Sequence, residues 1–279
     1  MLAPTPQAQR VRCRQIADRD LGVLPGLLAY GFPRTTHDFW SDGLARMAAM
    51  PAVEGMPRFG YVLENDTDIV GVLLLLSSRR GARIVANLSG WYVEPNWRAH
   101  SPLLVAMATK QKQVTYVNAS PAPHTWRTLE AQSFIPYNFG RSAVFALPGR
   151  GRVSQAIPDD LPEAQLLRDH RALGWISLVV EKDGVVSPVV LRPRRLDRPP
   201  VPMMDVMYCR SPEDLARCAP ALTRHFLSRS LGFLIDGDVP SSNFAVWGHY
   251  VEGKERRYYK GPWRPRLGDL AYTEKAIFE

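Results

Sequence analysis

The residues with the clearest chemical potential lie in the range Asn87–Leu104, which has the sequence NLSGWYVEPNWRAHSPLL. Glu94 follows an apolar and aromatic run, and its carboxylate could take a proton from an amine, directly or through water. The alternative is an ordinary solvated loop carboxylate. Arg98 can contribute positive charge to a bound anion. Because Ser101 and Pro102 suit the N-cap and first position of a helix, this range predicts a strand, a loop and a helix.

Two further side chains could exchange protons. His124 stands at the start of a predicted helix over residues 123–132, and Tyr137 comes just beyond its end. Histidine suits acid or base catalysis near neutral pH, because its unperturbed pKa is about 6.5. The structural alternatives are a capping or packing role for His124 and a packing role for Tyr137.

Two other motifs carry weaker signals. Asp236-Gly237-Asp238 could belong to a metal loop, but the remaining calcium ligands are absent, so the motif predicts a turn. Residues 258–266, YYKGPWRPR, mix aromatic and basic side chains as single-stranded nucleic-acid platforms do, although surface or interface packing is the simpler explanation. The sequence contains no Gly-x-Ser-x-Gly, His-Glu-x-x-His, Walker or dinucleotide-binding motif.

The composition is that of a globular protein, since 46% of the 279 residues are hydrophobic and 22% are charged. Its net charge of +8 favours an anionic partner, such as a nucleotide cofactor, a phosphorylated substrate or nucleic acid. The three cysteines lack Cys-x-x-Cys spacing and predict free buried thiols, so we expect no metal. The longest apolar run, residues 69–76, is too short to cross a membrane, and residues 1–14 lack the order of a secretory signal. We therefore expect a cytoplasmic protein.

The hydrophobic pattern predicts an α/β fold with a mixed sheet. In the first half, helices are followed by a hairpin over residues 60–77 and then by alternating strands and helices. Residues 135–147 predict a bent strand pair that carries Gly140. Residues 147–153, LPGRGRV, have the composition of an exposed connector. We predict two domains, residues 1–149 and residues 150–279.

The second half partly repeats this order. A helix near residues 163–173 precedes a hairpin that turns at Lys182-Asp183-Gly184. Ser211-Pro212 predicts a helix start, and Pro220 should kink or split that helix. Residues 270–278 predict a closing strand.

A strand followed by Val93-x-Pro95-x-x-Arg98, a tight loop and an apolar helix resembles the acyl-CoA-binding motif of the GNAT superfamily of acyltransferases. The order of elements over about residues 10–148 is similar to that of the family, and the second half resembles a smaller, degenerate GNAT-like domain. In the family a splayed strand holds pantetheine, and the loop amides and helix N-terminus hold the pyrophosphate. The implied acyl-CoA-binding residues are Trp91, Tyr92, Val93, Arg98, Ala99, His100, Ser101, Leu103 and Asn118. Packing is the alternative role for the aromatic residues, and turn formation for Asn118.

One departure from the family pattern concerns the pyrophosphate. The family's Arg-x-x-Gly-x-Gly/Ala is RAHSPL here, residues 98–103, so both small residues are lost. Pro102 cannot donate an amide hydrogen bond. The Ser101 hydroxyl and the side chains of Arg98 and His100 could compensate.

A second departure concerns the acid that protonates the leaving CoA thiolate. The tyrosine that many family members use would fall at position 129, which is Leu129 here. His124 and Tyr137 are the nearby alternatives for this acid, and with Glu94, the candidate base, they are the candidate catalytic residues.

The resemblance implies an enzyme that moves an acetyl or longer acyl group from acyl-CoA to an amine or hydroxyl of a small or carrier-bound acceptor. Acyl-CoA would be the co-substrate, and neither a metal nor a membrane partner is expected. The competing hypothesis is a catalytically inactive GNAT-like module that binds a ligand or a protein. Nucleic-acid binding is a third and weaker alternative.

Overall fold

The structure is a computed structural model that describes residues 10–196, 200–238 and 246–279. Twelve strands form a single mixed sheet in the order β1-β2-β3-β4-β5-β12-β6-β11-β10-β9-β8-β7. In chain order the strands are β1 (Arg12–Gln15), β2 (Gly60–Glu64), β3 (Ile69–Arg80), β4 (Arg83–Val93), β5 (Thr115–Asn118), β6 (Ile135–Ala146), β7 (Arg152–Ser154), β8 (Ile176–Lys182), β9 (Val185–Arg195), β10 (Pro202–Tyr208), β11 (Phe233–Asp236) and β12 (Val246–Lys260).

The helices lie on both faces of this sheet. They are α1 (Leu24–Gly31), α2 (His37–Ala49), α3 (Ser101–Ala108), α4 (Trp126–Ala131), α5 (Ala164–Ala172), α6 (Pro212–Phe226) and α7 (Glu274–Ile277). Among the residues described, no helix is both long and apolar enough to cross a membrane. The predicted mixed α/β fold is confirmed.

The apolar run of β3 is explained by its central position between β2 and β4. Leu73 and Leu75 pack in the same cluster as α3, whereas Leu74 and Leu76 pack in the cluster that contains α1 and α2. Successive side chains of a strand point to opposite faces, so a strand that is covered on both faces needs apolar residues at every position.

The prediction of a bent strand pair over residues 135–147 is wrong. These residues form one strand, β6, and both of its neighbours come from the later half of the chain: β12 on one side and β11 on the other. The sequence pattern does not predict β12, because its exposed, polar side chains and its two glycines, Gly248 and Gly253, obscure the alternation that is typical of a strand. The division into two domains at residues 149 and 150 stays a prediction. Strand β12, from the later half, lies between β5 and β6 of the earlier half, so strands of both halves alternate in one sheet.

The predicted closing strand over residues 270–278 is also wrong. This segment contains the short helix α7, and the Phe278 ring packs on α2 with its centroid 5.4 Å from that of Trp40. Arg46 of α2 donates a 3.0 Å hydrogen bond to the carbonyl of Ile277, and the Trp175 indole donates one of 2.8 Å to the carbonyl of Ala276. The C-terminal segment therefore joins α2 to the second half of the sheet.

In the second half, several local predictions are confirmed. Asp183 and Gly184 take positive φ values of 51° and 74° in the hairpin turn. Ser211 caps α6 by accepting a 3.2 Å hydrogen bond from the Asp214 amide. The prediction that Pro220 could split α6 is wrong, because the apolar face of this helix is buried along its length and packing outweighs the local cost of the proline.

Candidate functional site

Strands β4 and β5 diverge part of the way along β4. They are parallel neighbours, and their pairing register ends where Asn87 lies opposite Val117. Strand β4 continues to Val93, paired only with β3 on its other side, while the end of β5 is paired with β12. The edge of β4 that faces β5 is therefore unpaired over residues 88–93. We call this gap the fork; it is the splayed geometry that the resemblance implies.

The loop after the fork uses some of its own amides. Residues 95–100 form a tight helical turn, in which the Trp97 amide donates to the carbonyl of Glu94 at 2.9 Å and the Ser101 amide donates to the carbonyl of Arg98. Since Pro102 has no amide hydrogen, few donors remain at the start of α3. The expected N-cap role of Ser101 is wrong, because its hydroxyl accepts a 2.9 Å hydrogen bond from the Trp91 indole and caps no amide.

The side chains of the loop point outward instead. Arg98, Ala99, His100 and Leu103 are exposed, and the Arg98 guanidinium forms no ion pair with a described residue. An exposed and unpaired arginine is free to approach an anion at the start of α3.

The three residues before the loop are held by packing. Trp91 and Val93 pack in the cluster that contains α3, whereas Tyr92 meets the ring edges of Tyr30 and Phe32 at 6.2 and 6.4 Å on the opposite face. Asn118 is buried at the end of β5, in register with Tyr258 of β12.

The three predicted catalytic residues lie on different elements. His124 is exposed in the turn before α4, and Glu94 is half-buried at the start of the loop. Tyr137 is buried on β6, where desolvation raises the pKa of its phenol, and its ring meets that of Tyr259 edge-on at 6.0 Å. No hydrogen bond or ring contact joins any two of the three within the described residues.

A further carboxylate, that of Glu274, lies at the base of the fork, and no sequence motif singled it out. The Asn87 side-chain amide donates to Oε2 of Glu274, and the Ser120 hydroxyl donates to its Oε1. Asn87 is the last residue of β4 that pairs with β5, and Ser120 follows the end of β5. Burial raises the pKa of Glu274 above its usual value. The one available signal was the presence of Glu274 and Lys275 within the otherwise mostly apolar segment 270–278.

Ion pairs fix the position of α7 next to this carboxylate. The Lys275 ammonium lies 2.6 Å from the Glu255 carboxylate of β12. The fully buried Arg257 makes bonds of 2.6 and 2.7 Å to both carboxylate oxygens of Asp236. Burial acts to raise the pKa of Glu255, but Lys275 and Arg257 outweigh it and lower that pKa to about 2.

The second half has a comparable pair of parallel strands, β10 and β11, but the gap beside them is filled. The Leu270 amide donates to the carbonyl of Met207, and the Cys209 amide donates to the carbonyl of Gly268, each at 2.9 Å. Gly268 has a φ of 78°, and a Cβ there would lie 2.5 Å from the Cys209 sulfur, so this approach requires glycine. The chain itself thus occupies the position that the fork leaves open in the first half.

No protein-family model and no curated protein matches this chain. Solved structures do match. A GCN5-related N-acetyltransferase from Anabaena variabilis aligns over 90% of this chain and 72% of its own, with a TM-score of 0.57 and 11% identity. A GCN5-related N-acetyltransferase from Kribbella flavida aligns over 90% of this chain and 71% of its own, with a TM-score of 0.55 and 14% identity. A proposed acetyltransferase from Pyrococcus horikoshii aligns over 98% of this chain and 96% of its own, with a TM-score of 0.56 and 11% identity. The chain therefore has the fold of the GCN5-related N-acetyltransferases.

Proposed function

We propose that this protein transfers an acyl group from acyl-CoA to an amine or hydroxyl group of a small or carrier-bound acceptor. The observation that carries the proposal is the buried Glu274 carboxylate at the base of the fork. Its hydrogen-bond donors, Asn87 and Ser120, are neutral, and it forms no ion pair with any described residue. Burying a carboxylate without a cation costs free energy, which a catalytic role would explain.

The fork and the loop fit acyl-CoA through different groups. The unpaired edge of β4 over residues 88–93 offers backbone donors and acceptors to the pantetheine chain. At the start of α3 the exposed side chains of Arg98 and His100 would hold the phosphates, because Pro102 has no amide and the Trp97 and Ser101 amides are already bonded. The altered motif would therefore bind the pyrophosphate mainly through side-chain charge.

Acyl-CoA would supply the activated acyl group, and the chain would remove the proton of the acceptor. Ser120 is exposed and donates its own proton to Glu274, so its oxygen can accept a hydrogen bond from the acceptor. The proton then passes from the acceptor to Ser120 and from Ser120 to Oε1 of Glu274. A raised pKa makes Glu274 a stronger base than an ordinary carboxylate.

Tyr137 is a candidate proton donor for the leaving thiolate. Its phenol is protonated at neutral pH, although desolvation raises its pKa and makes it a weaker acid than an exposed tyrosine. His124 and Glu94, which are more exposed, are candidates as well.

Binding of CoA thioesters tests the proposal. Acetyl-CoA or a longer acyl-CoA at about 100 times its dissociation constant should stabilise the fold by about 2.7 kcal/mol, measured by thermal unfolding. Calorimetry should give a saturable heat, and amine acceptors should then release free CoA thiol. If several thioesters neither shift the unfolding temperature nor give heat, the proposal is wrong. Binding without transfer to any acceptor would instead favour an inactive ligand-binding module.

A further inference from the structure

We infer that the acceptor carries an anionic group, phosphate or carboxylate, and that it binds in a cavity lined by arginines beside β4. The description of this ligand as an acceptor rests on the proposed function. The binding of an organic anion rests on the cavity alone.

The cavity has a volume of about 700 Å³ and lies between the β3–β4 hairpin and the loop over residues 263–273. Val85 and Asn87 of β4 line it, whereas Val93 leads into α3 at the other end of the strand. The rise along a strand is about 3.3 Å per residue, so Asn87 and Val93 are separated by about 20 Å. An acceptor in this cavity would thus approach the fork from the end opposite the proposed phosphate site.

The cavity carries excess positive charge. Five arginines line it, with two carboxylates, Glu163 and Asp269. Both acids are already paired: Arg210 bonds to Glu163 at 2.8 Å, and Arg80 bonds to Asp269 at 3.1 Å. The remaining arginines of the lining form no ion pair within the described residues; they are Arg79, Arg83, Arg264 and Arg266.

Two guanidinium groups of the lining are held over aromatic rings before any ligand binds. Arg83 lies over the Trp263 ring at 5.1 Å, and Arg80 lies over the Tyr272 ring at 4.6 Å. The Nε atom of Arg80 is buried without a hydrogen-bond partner. Arginine is suited to bidentate recognition of phosphate and carboxylate, and positioned guanidinium groups lose little freedom on binding. The lining is therefore organised for an anion.

The floor of the cavity reaches the proposed base. Asn87, which donates a hydrogen bond to Glu274, lines the cavity. Thr273, which precedes Glu274 in the chain, lines it as well. The Oδ1 atom of Asn87 is buried without a hydrogen-bond partner, and an amine that reached it from the cavity would satisfy this acceptor. A ligand held by the arginines at its anionic end would thus present its other end to Asn87 and Glu274.

Calorimetry on the full chain tests this assignment with O-phosphoethanolamine, L-aspartate and inorganic pyrophosphate as probes, and with ethanolamine as the matched amine without an anionic group. At least one anionic probe should bind saturably at millimolar concentration. Ethanolamine should bind at least about tenfold more weakly than O-phosphoethanolamine, because it has no anionic group to form charge-assisted bonds with the arginines. A preference for O-phosphoethanolamine or for L-aspartate would distinguish a phosphate from a carboxylate ligand.

The double variant Arg83→Gln/Arg266→Gln should weaken binding of the anionic probe by about tenfold or more. The matched double variant Arg34→Gln/Arg127→Gln, at exposed positions away from the cavity, should leave it unchanged. All four arginines are exposed, and thermal unfolding will verify that both proteins fold.

Equal binding of the anionic probes by the wild type and the cavity variant would overturn the inference. An equal loss of affinity for acetyl-CoA and for the anionic probes in the cavity variant would also overturn it, because the cavity would then hold the phosphates of CoA. If the probes bind in the cavity but no CoA thioester binds the protein, the proposed function fails and the anion site stands.

Discussion

The Ser120 hydroxyl donates a hydrogen bond to Oε1 of Glu274, although the two residues lie 154 positions apart in the chain. Ser120 follows the end of β5 in the first half, and Glu274 opens the last helix of the chain. The base of the fork is therefore complete only when the C-terminal segment has packed against the first half of the sheet.

A fragment of residues 1–149 should not fold as a soluble, active unit. Both neighbours of β6, β11 and β12, come from residues beyond 149, so β6 would lose every pairing partner that it has in the full chain. The unpaired strand and the exposed apolar surface should cause aggregation. Circular dichroism and size-exclusion chromatography check this. A monomeric, cooperatively folded fragment with unchanged ligand affinity would show that the site is not shared between the two halves.

Phe278→Ala should lower the free energy of unfolding by about 3 to 5 kcal/mol, because the ring is buried against Trp40 and Phe39. Chemical denaturation measures this loss. Phe145→Ala, at a partly exposed position of β6, is the control and should cost much less. If Phe278→Ala costs less than about 1 kcal/mol, packing of this residue does not hold the C-terminal segment in place.

Arg98→Ala should weaken acyl-CoA binding by about tenfold or more, since charge-assisted hydrogen bonds contribute about 1.5 to 3 kcal/mol. Arg127→Ala, at an exposed position of α4, is the matched control. Arg141 is unsuitable as a control, because it forms an ion pair with the buried Asp205. Calorimetric titration decides the matter, and equal affinities of the two variants would remove the loop from the proposed binding site.

Stability should fall as the pH drops from about 6.5 to about 4, in part because of His170. This buried side chain bonds through Nδ1 to the carbonyl of Leu166 at 2.8 Å and accepts through Nε2 from the Tyr272 amide at 3.2 Å. Burial lowers its pKa to about 4. Between the two values the unfolded chain binds a proton that the folded chain does not, so acidification favours unfolding by up to about 3 kcal/mol.

His170→Gln should make the pH dependence shallower across that range, as measured by chemical denaturation at a series of pH values. His124→Gln, at an exposed position, should follow the wild-type curve. A wild-type slope in His170→Gln would mean that other groups cause the acid sensitivity.

Local sequence signals predicted the local structure well. The hairpin predicted over residues 60–77 corresponds to β2 and β3, and the Ser211 cap was also predicted from neighbouring residues alone. The errors concern long-range pairing. Nothing within residues 135–147 shows that the partners of β6 come about a hundred residues later, and nothing within residues 246–260 shows which strands flank β12. Glu274 escaped notice for the same reason, since both of its hydrogen-bond donors lie far away in the chain.

Acyl transfer by Glu274→Gln is the most direct test of the proposed chemistry. The wild type, Glu274→Gln and the control Glu54→Gln, at an exposed position, are compared. The kcat of Glu274→Gln should fall by a factor of about 10² to 10⁴, and that of Glu54→Gln should stay at the wild-type value. The dissociation constant of Glu274→Gln for acyl-CoA should stay unchanged. Folding raises the pKa of the Glu274 carboxyl, so ionisation of this group destabilises the folded protein as the pH rises. The glutamine amide carries no charge, so the unfolding temperature of the variant at neutral pH should not fall. Wild-type kcat in a folded, CoA-binding Glu274→Gln protein would contradict the assignment of this carboxylate as the base.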